Sequence, residues 1–343
     1  MGVRIMLTRD YTGQNQSKKL IGSDQDTTNI IGSNVFDKIR LEEFWHFVME
    51  RQRIWEARYI KHEPPPWTLD EVLNSNHFTN IYRELDPGTK YAVKHILESN
   101  EPPSDRFFNL MIYRLIGKEE THKEVGFQHL KSYSQDRFES KLRDIRKNGH
   151  SLFTSAYMVS AYHCMGSSDK IANVSRLFAL LCSRFEAFFE RLMDATTMEG
   201  AYSILKEQVG YGNFLSYQIL VDATYPLKKE KGLGLLKVNP NDWAAAGPGA
   251  KRGISLLLSD KHVSELSVMK WLRDNQKSEM IRLNLDFPYL VGPSKRRIEI
   301  SLSNIQNCLC EYYKYTKIKE GWGRGRRTFN PFLRDNLQTV DSH

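Results

Sequence analysis

Residues 37–62 carry Ile39, Phe44, Phe47, Val48, Ile54 and Trp55 at helical spacing among many charges, and three successive prolines, Pro64, Pro65 and Pro66, end the pattern. An apolar stripe with the period of an α-helix must be buried against other elements, and the prolines forbid the helix to run on. The alternation of helix and punctuation continues downstream. Thr68 is expected to cap the next helix, with Asp70 and Glu71 in its first turn. Asp86-Pro87-Gly88-Thr89 marks a junction, after which residues 90–97 resume helical spacing. Pro102 and Pro103 punctuate again, and Ser104 or Asp105 is expected to cap a helix reaching Ile116. Residues 134–147 and 171–193 read as further helices. Strand signals are thin, the best being the short stretches 151–154 and 298–302. The expectation is a mainly α domain with few short strands over residues 35–330. A flexible leader at 1–34, rich in Gly, Ser, Asn, Gln, Thr and Asp, precedes it, and a tail at 331–343 follows.

Composition narrows the class. No run of about 18 apolar residues offers a membrane span, and Met1-Gly2-Val3-Arg4 leads into polar sequence with no secretory signal. Four cysteines are too few for a disulfide scaffold, and Cys308-Leu309-Cys310 lacks a matching pair for zinc, so free thiols in a reducing intracellular compartment are expected. The formal net charge of +8 favours polyanionic partners through counterion release. The P-loop spacing, the Gly-x-Ser-x-Gly elbow and His-Glu-x-x-His are all absent. His163 beside Cys164 reads as a buried structural pair rather than a nucleophile with its base. No metal and no cofactor is expected.

Four stretches carry chemistry. Residues 198–208 and 214–222 have helical spacing and flank Val209-Gly210-Tyr211-Gly212-Asn213, the pattern of a helix-hairpin-helix element. Gly210 and Gly212 permit backbone angles closed to other residues and leave amides open to a phosphate oxygen, although an ordinary tight turn has the same signature. Gly247, Gly249 and Gly253 surround Lys251 and Arg252, a composition suited to an anionic group. Asn80, Arg83 and Glu84 would share one face if residues 77–86 were helical, and could orient a base edge or a phosphate; surface pairing is the plainer alternative. Ser303 is expected to cap a helix running past Glu311, after which Trp322, Arg324 and Arg326 alternate with glycines in a stretch suited to phosphates and base stacking.

In this order the stretches resemble a known family. Phe44-Trp45 through Trp55, Pro66-Trp67-Thr68 and the run from Phe78 to Asp86 resemble the opening of the α-glutamyl/putrescinyl thymine pyrophosphorylases, the amino acid:DNA transferases. The run from Ala246 to Gly253 and the stretch from Asn304 to Arg327 resemble its later motifs, so the likeness covers about residues 40–330. The family shares its helical domain with the 5-hydroxymethyl-deoxyuridine (5-hmdU) DNA kinases of bacterial viruses. The resemblance implies a helix-hairpin-helix, DNA-glycosylase-like fold and a part in hypermodifying thymine in phage DNA, within the host cytoplasm. Kinase members carry a further P-loop domain; with no P-loop spacing in these residues, the likeness is to the transferase branch.

The implied reaction displaces phosphate or pyrophosphate from 5-phosphomethyl- or 5-pyrophosphomethyl-deoxyuridine in DNA by the amine of an amino acid or of putrescine. It needs an aromatic platform for an unstacked base, for which Trp67, Tyr82 and Trp243 are candidates. It needs cations for the leaving group, for which Lys251, Arg252 and Arg83 are candidates, and a carboxylate to take the amine's proton. Asp242 is placed first for that role, as an aspartate expected to begin a helix after the hairpin, with Glu84 in reserve and Asp222 less well placed. A helix-hairpin-helix glycosylase excising a modified pyrimidine, and a protein that only binds modified DNA, stay open.

Overall fold

The computed structural model describes residues 31–259, 262–292, 295–325 and 328–332. The protein is mainly helical, with two short strands among the described residues. Helix α1 (Lys38–Tyr59) starts where its apolar stripe starts, with the Asp37 carboxylate accepting from the Arg40 amide at 3.0 Å, and buries Leu41, Phe44, Trp45, Phe47 and Val48. Ahead of it Phe36 is buried and pairs with Leu258, and the Asp37 amide donates to the Leu257 carbonyl at 2.8 Å. The end of the expected leader, residues 31–34, therefore runs into packed backbone, while residues 1–30 lie outside the described residues.

Helix α2 (Glu71–Ser75) is capped by Asp70, whose carboxylate accepts from the Leu73 amide at 2.9 Å; the expected cap, Thr68, accepts from Asp70 N instead. Residues 77–82 form no helix, and only a 3-10 turn, Arg83–Leu85, follows. The helical face foreseen for Asn80, Arg83 and Glu84 is thus replaced by an irregular segment held from outside. Arg51 donates to the Phe78 and Thr79 carbonyls, and Glu311 accepts from the Thr79 amide. Helix α3 (Pro87–Tyr91) passes directly into a π turn, Ala92–Leu97.

Helix α4 (Pro103–Ile116) is the centre of the core: Asp105 through Tyr113, Leu115 and Ile116 are all buried. Neither Ser104 nor Asp105 caps it. Pro103 occupies the first turn, where its missing N–H costs nothing, and Asp105 accepts from the Leu130 amide at 3.0 Å. Helices α5 (Glu119–Val125) and α6 (Gln135–Lys147, capped by Ser134) follow, then α7 (Lys170–Ser183) and α8 (Phe185–Met193), two helices broken at Arg184 where one was expected. Next come α9 (Met198–Lys206), α10 (Asn213–Ala223), α11 (Pro248–Leu257) and α12 (Glu265–Arg282). Strands β1 (Leu290–Val291) and β2 (Arg297–Ile298) pair antiparallel, Leu290 with Ile298. Residues 151–154 form no strand. Of the stretch 298–302, only Ile298 is extended in a ladder, because Ser301 caps the last helix, α13 (Leu302–Lys319), displacing Ser303 from that role. His163 and Cys164 are exposed, not buried. No helix among the described residues is long and apolar enough to cross a membrane.

Two of the glycines around Lys251 and Arg252 also have a packing role. Gly249 and Gly253 lie inside α11 against α13: a Cβ on Gly253 would sit 2.1 Å from the Leu309 carbonyl oxygen, and one on Gly249 2.3 Å from Cys310 Sγ. Such close approach admits no side chain at all. Gly253→Ala should therefore lower the unfolding free energy by about 1–3 kcal/mol in urea denaturation. Gly212→Ala, where a Cβ would meet nothing within 4 Å, should cost at most about 1 kcal/mol, the loss of a good helix cap.

Candidate functional site

A glycine turn joins α9 to α10. Helix α9 ends at Lys206, Gly210 turns the chain at φ +88°, and Gly212 caps α10. The two glycines have different reasons to be there. A Cβ on Gly210 would press to 2.6 Å from Leu177, whereas Gly212 is uncrowded. Beside Gly212 opens an apolar cleft of about 400 Å³, in the range of small-molecule sites, lined by Leu115, Tyr157, Met158, Val159 and residues 212–215. Met158 and Phe214 stand out from it, 95% and 50% exposed, with the Tyr157 ring edge-on to Phe214 at 5.3 Å.

A buried polar group adjoins that cleft through α4 and α10. Tyr157 donates its hydroxyl to the Arg114 carbonyl, one residue from Leu115 in the cleft wall. The Arg114 guanidinium pairs through Nε with Asp222 Oδ2 and donates to Thr89 Oγ1 at 3.1 Å. On the next turn of α10, Gln218 Oε1 accepts from Arg83, which is 5% exposed. The Arg83 amide donates to Asn304 Oδ1 at 3.0 Å, and Asn304 Nδ2 donates to Glu84 Oε2 at 3.2 Å, so one asparagine of α13 holds both neighbours. Asp86 Oδ1 accepts from the Asn80 amide, and Asn307 Nδ2 donates to Thr79 Oγ1 and the Asn80 carbonyl. Burial pushes the Glu84 carboxyl above its ordinary range and the Asp86 carboxyl up to about 6. Arg83 Nη1, Asp222 Oδ1 and the hydroxyls of Tyr217 and Tyr225 are buried without a partner among the described residues. Such groups are costly when no partner is supplied, and others lie elsewhere in the core, Trp45 Nε1 and His122 Nε2 among them.

The remaining candidates divide by exposure. Trp243 is half-buried, its ring 4.8 Å from Tyr202 of α9 and 6.1 Å from Tyr217 of α10. Asp242 lies in the turn preceding α11 rather than at a helix start, because Pro248 is the first residue able to begin that helix. Burial pushes its carboxyl up against the pull of the Met198 amide, and its Oδ1 has no partner. Asp222 is fully enclosed and already committed to Arg114. Tyr82 is enclosed too, its hydroxyl donating to the Ile298 carbonyl at 2.6 Å; its ring is a core element and not a platform open to a base. Gly247 caps α11, and Lys251 on its surface pairs with Glu265 at 3.0 Å. Arg252 lies over the Tyr313 ring, which also meets Trp322, so these three form one exposed cluster. Arg324 is exposed, Arg326 lies outside the described residues, and Trp67 is half-buried under Arg58.

Sequence reading passed over Arg114, Gln218, Tyr217, Tyr225 and Asn304. Arg114, Tyr217 and Gln218 sit within regular helical spacing, where only tertiary contact distinguishes them; the amide pattern Asn304-x-x-Asn307 at the start of α13 was the one available signal. Two outcomes follow. Arg114→Met leaves the Asp222 carboxylate buried and uncompensated and should lower stability by about 3–5 kcal/mol, measured by urea unfolding. The folded Asp86 carboxyl, at about 6 against 3.8 when unperturbed, binds its proton more tightly than the unfolded one. Its contribution to stability is therefore complete below the unfolded value and is lost as pH rises through about 6. Asp86→Asn, which keeps an acceptor for the Asn80 amide, should flatten the fall of Tm across that window.

Comparison with known proteins bears on what this arrangement serves. The family described as 5-hmdU DNA kinase, helical domain, matches residues 38–324. A 5-hmdU DNA kinase of Bacillus phage SP10 is 29% identical over 312 residues, covering 86% of this chain and 48% of the relative. The chain thus spans about half the length of that protein. No solved structure matches. Since the match takes in every helix from α1 to α13, with the cleft and the buried polar group, the chain belongs to the family of the 5-hmdU DNA kinase helical domain.

Proposed function

We propose that this chain acts in thymine hypermodification as an amino acid:DNA transferase. It would displace phosphate or pyrophosphate from 5-(pyro)phosphomethyl-deoxyuridine in DNA with the amine of an amino acid or a polyamine. The observation that carries the reading is the family match over residues 38–324, since the family's name concerns a modified thymine-type base in DNA. The cleft at Gly212 supports it. An apolar recess with aromatic walls, beside the helix N-terminus at Gly212 where no side chain intrudes, suits an unstacked base and the phosphate that follows it.

In this reading the bond from the 5-methylene carbon to the phosphate oxygen breaks as the amine nitrogen bonds to that carbon, and the amine loses a proton. Asp242 takes that proton: burial lifts its affinity for one, and Oδ1 is not engaged by the chain. Glu84 is the second carboxyl raised by burial, but it already accepts from Asn304. The departing phosphate is held by Arg83, whose Nη1 has no partner, or by the Gly247–Gly249 end of α11 with Lys251 and Arg252. Gly210, Gly212, Asn80, Trp67, Trp243, Trp322, Arg324 and Arg326 are the proposed DNA contacts.

A second reading rests on the coverage: 48% of the SP10 kinase is matched, so this chain would be the DNA-holding helical part of a kinase-type enzyme. Nucleoside mass spectrometry separates the two. The protein is incubated with DNA containing 5-phosphomethyl- or 5-pyrophosphomethyl-deoxyuridine, together with amino acids and polyamines, and the DNA is digested. The transferase yields thymidine plus an amine substituent, and Asp242→Asn abolishes it while DNA retention persists. Turnover unchanged in that variant would remove Asp242 from the mechanism. DNA bound with every nucleoside mass unchanged would leave the helical-part reading.

A further inference from the structure

Apart from the cleft and its polar neighbours, three donors from separate stretches converge near the start of α4. His129 Nδ1 lies 3.3 Å from Asp105 Oδ2 and 3.5 Å from Glu101 Oε2, and one ligand atom of each residue falls within 4.8 Å of the others. The carboxylates come from the turn before α4 and from its first turn, the imidazole from the loop after α5. We propose that Glu101, Asp105 and His129 form a binding site for one divalent transition-metal ion of the manganese-to-zinc row.

Donor chemistry is the first argument. Two carboxylate oxygens and one imidazole nitrogen meet within reach of a single ion, a set that a divalent cation would engage together. Preorganisation is the second. The other Asp105 oxygen already accepts from the Leu130 amide at 3.0 Å, which fixes the carboxylate and leaves Oδ2 for the ion. The loop bearing His129 is clamped independently: Asn109 Oδ1 accepts from Gln128 N at 2.8 Å, and Asn109 Nδ2 donates to the Gln128 carbonyl at 2.7 Å. Asn109 is fully buried, so this clamp keeps its shape with or without an ion. The donors also point to the metal class, two oxygens and one imidazole nitrogen being poorly matched to magnesium and well matched to Mn2+, Co2+ or Zn2+.

A further thiol borders the group. Cys182 of α7 donates from Sγ to the Leu130 carbonyl at 3.4 Å. An ion here would staple α4 to the loop carrying Leu130 and, through Cys182, to α7. Its effect is expected on stability, by mass action on the folded state.

Co2+ is the probe, because its visible absorption reports ligand geometry directly. Metal-free protein carrying residues 1–343 is titrated with CoCl2 and followed by visible spectroscopy and by Tm, alongside Glu101→Gln and His129→Gln. Both residues lie at the surface, and far-UV circular dichroism confirms that the variants fold. One equivalent of bound Co2+, a raised Tm, and affinity reduced by at least about tenfold in each variant is the expected result. No binding by the natural sequence would overturn the proposal and leave only the histidine–carboxylate contacts. Affinity undiminished in either variant would overturn it too, by moving the ion to other ligands.

Discussion

The contact between α11 and α13 is the constraint on which the rest of the site depends. Two glycines bring the helices to a separation that no side chain permits, with Leu309 backbone against Gly253 and Cys310 against Gly249. That approach fixes the start of α13, and from there Asn304 and Asn307 reach across to the irregular segment 79–86. Residues 77–82 make no helix of their own, so their shape is set by what surrounds them. Arg51 of α1, Glu311 and Asn307 of α13 and the nearby Asp86 supply the missing backbone partners. A helix pair packed for shape thus ends by positioning a guanidinium.

The arrangement around Arg83 shows how an apolar core accommodates charge. Asp222 and Arg114 neutralise each other between α4 and α10, and Gln218 and Asn304 take up most of the polar atoms around Arg83 and Glu84. One guanidinium nitrogen, one carboxylate oxygen and two phenols are left without a partner among the described residues. The π turn at Ala92–Leu97 follows α3 in the same region of the chain as Thr89, the hydroxyl that accepts from Arg114. Such turns occur often at functional sites.

Most of the helices were legible because burial imposes their period on the sequence. Residues 37–62 gave α1 within three positions at each end, and the glycine turn between α9 and α10 stands where Gly210 and Gly212 announce it. The failures share a cause. Residues 77–86 have helical spacing but take their hydrogen bonds from distant residues, a tertiary effect that local pattern cannot express. The break at Arg184 and the caps at Asp70 and Ser301 are likewise decided by packing between near-equivalent local choices. Around Gly249, closeness to a helix and closeness to a phosphate make the same demand, the absence of a side chain, and local pattern does not separate the two.

That ambiguity is resolved differently at Gly212, which has open space where its side chain would be. Position 212 borders the cleft without supporting it, so a cysteine there could carry an environment-sensitive fluorophore. Such a label would watch the cleft fill from outside the core. Cys164, exposed on the surface, would have to be replaced first. With the buried Cys308 shielded by packing, the remaining half-buried thiols, Cys182 and Cys310, would set the background against which occupancy is read.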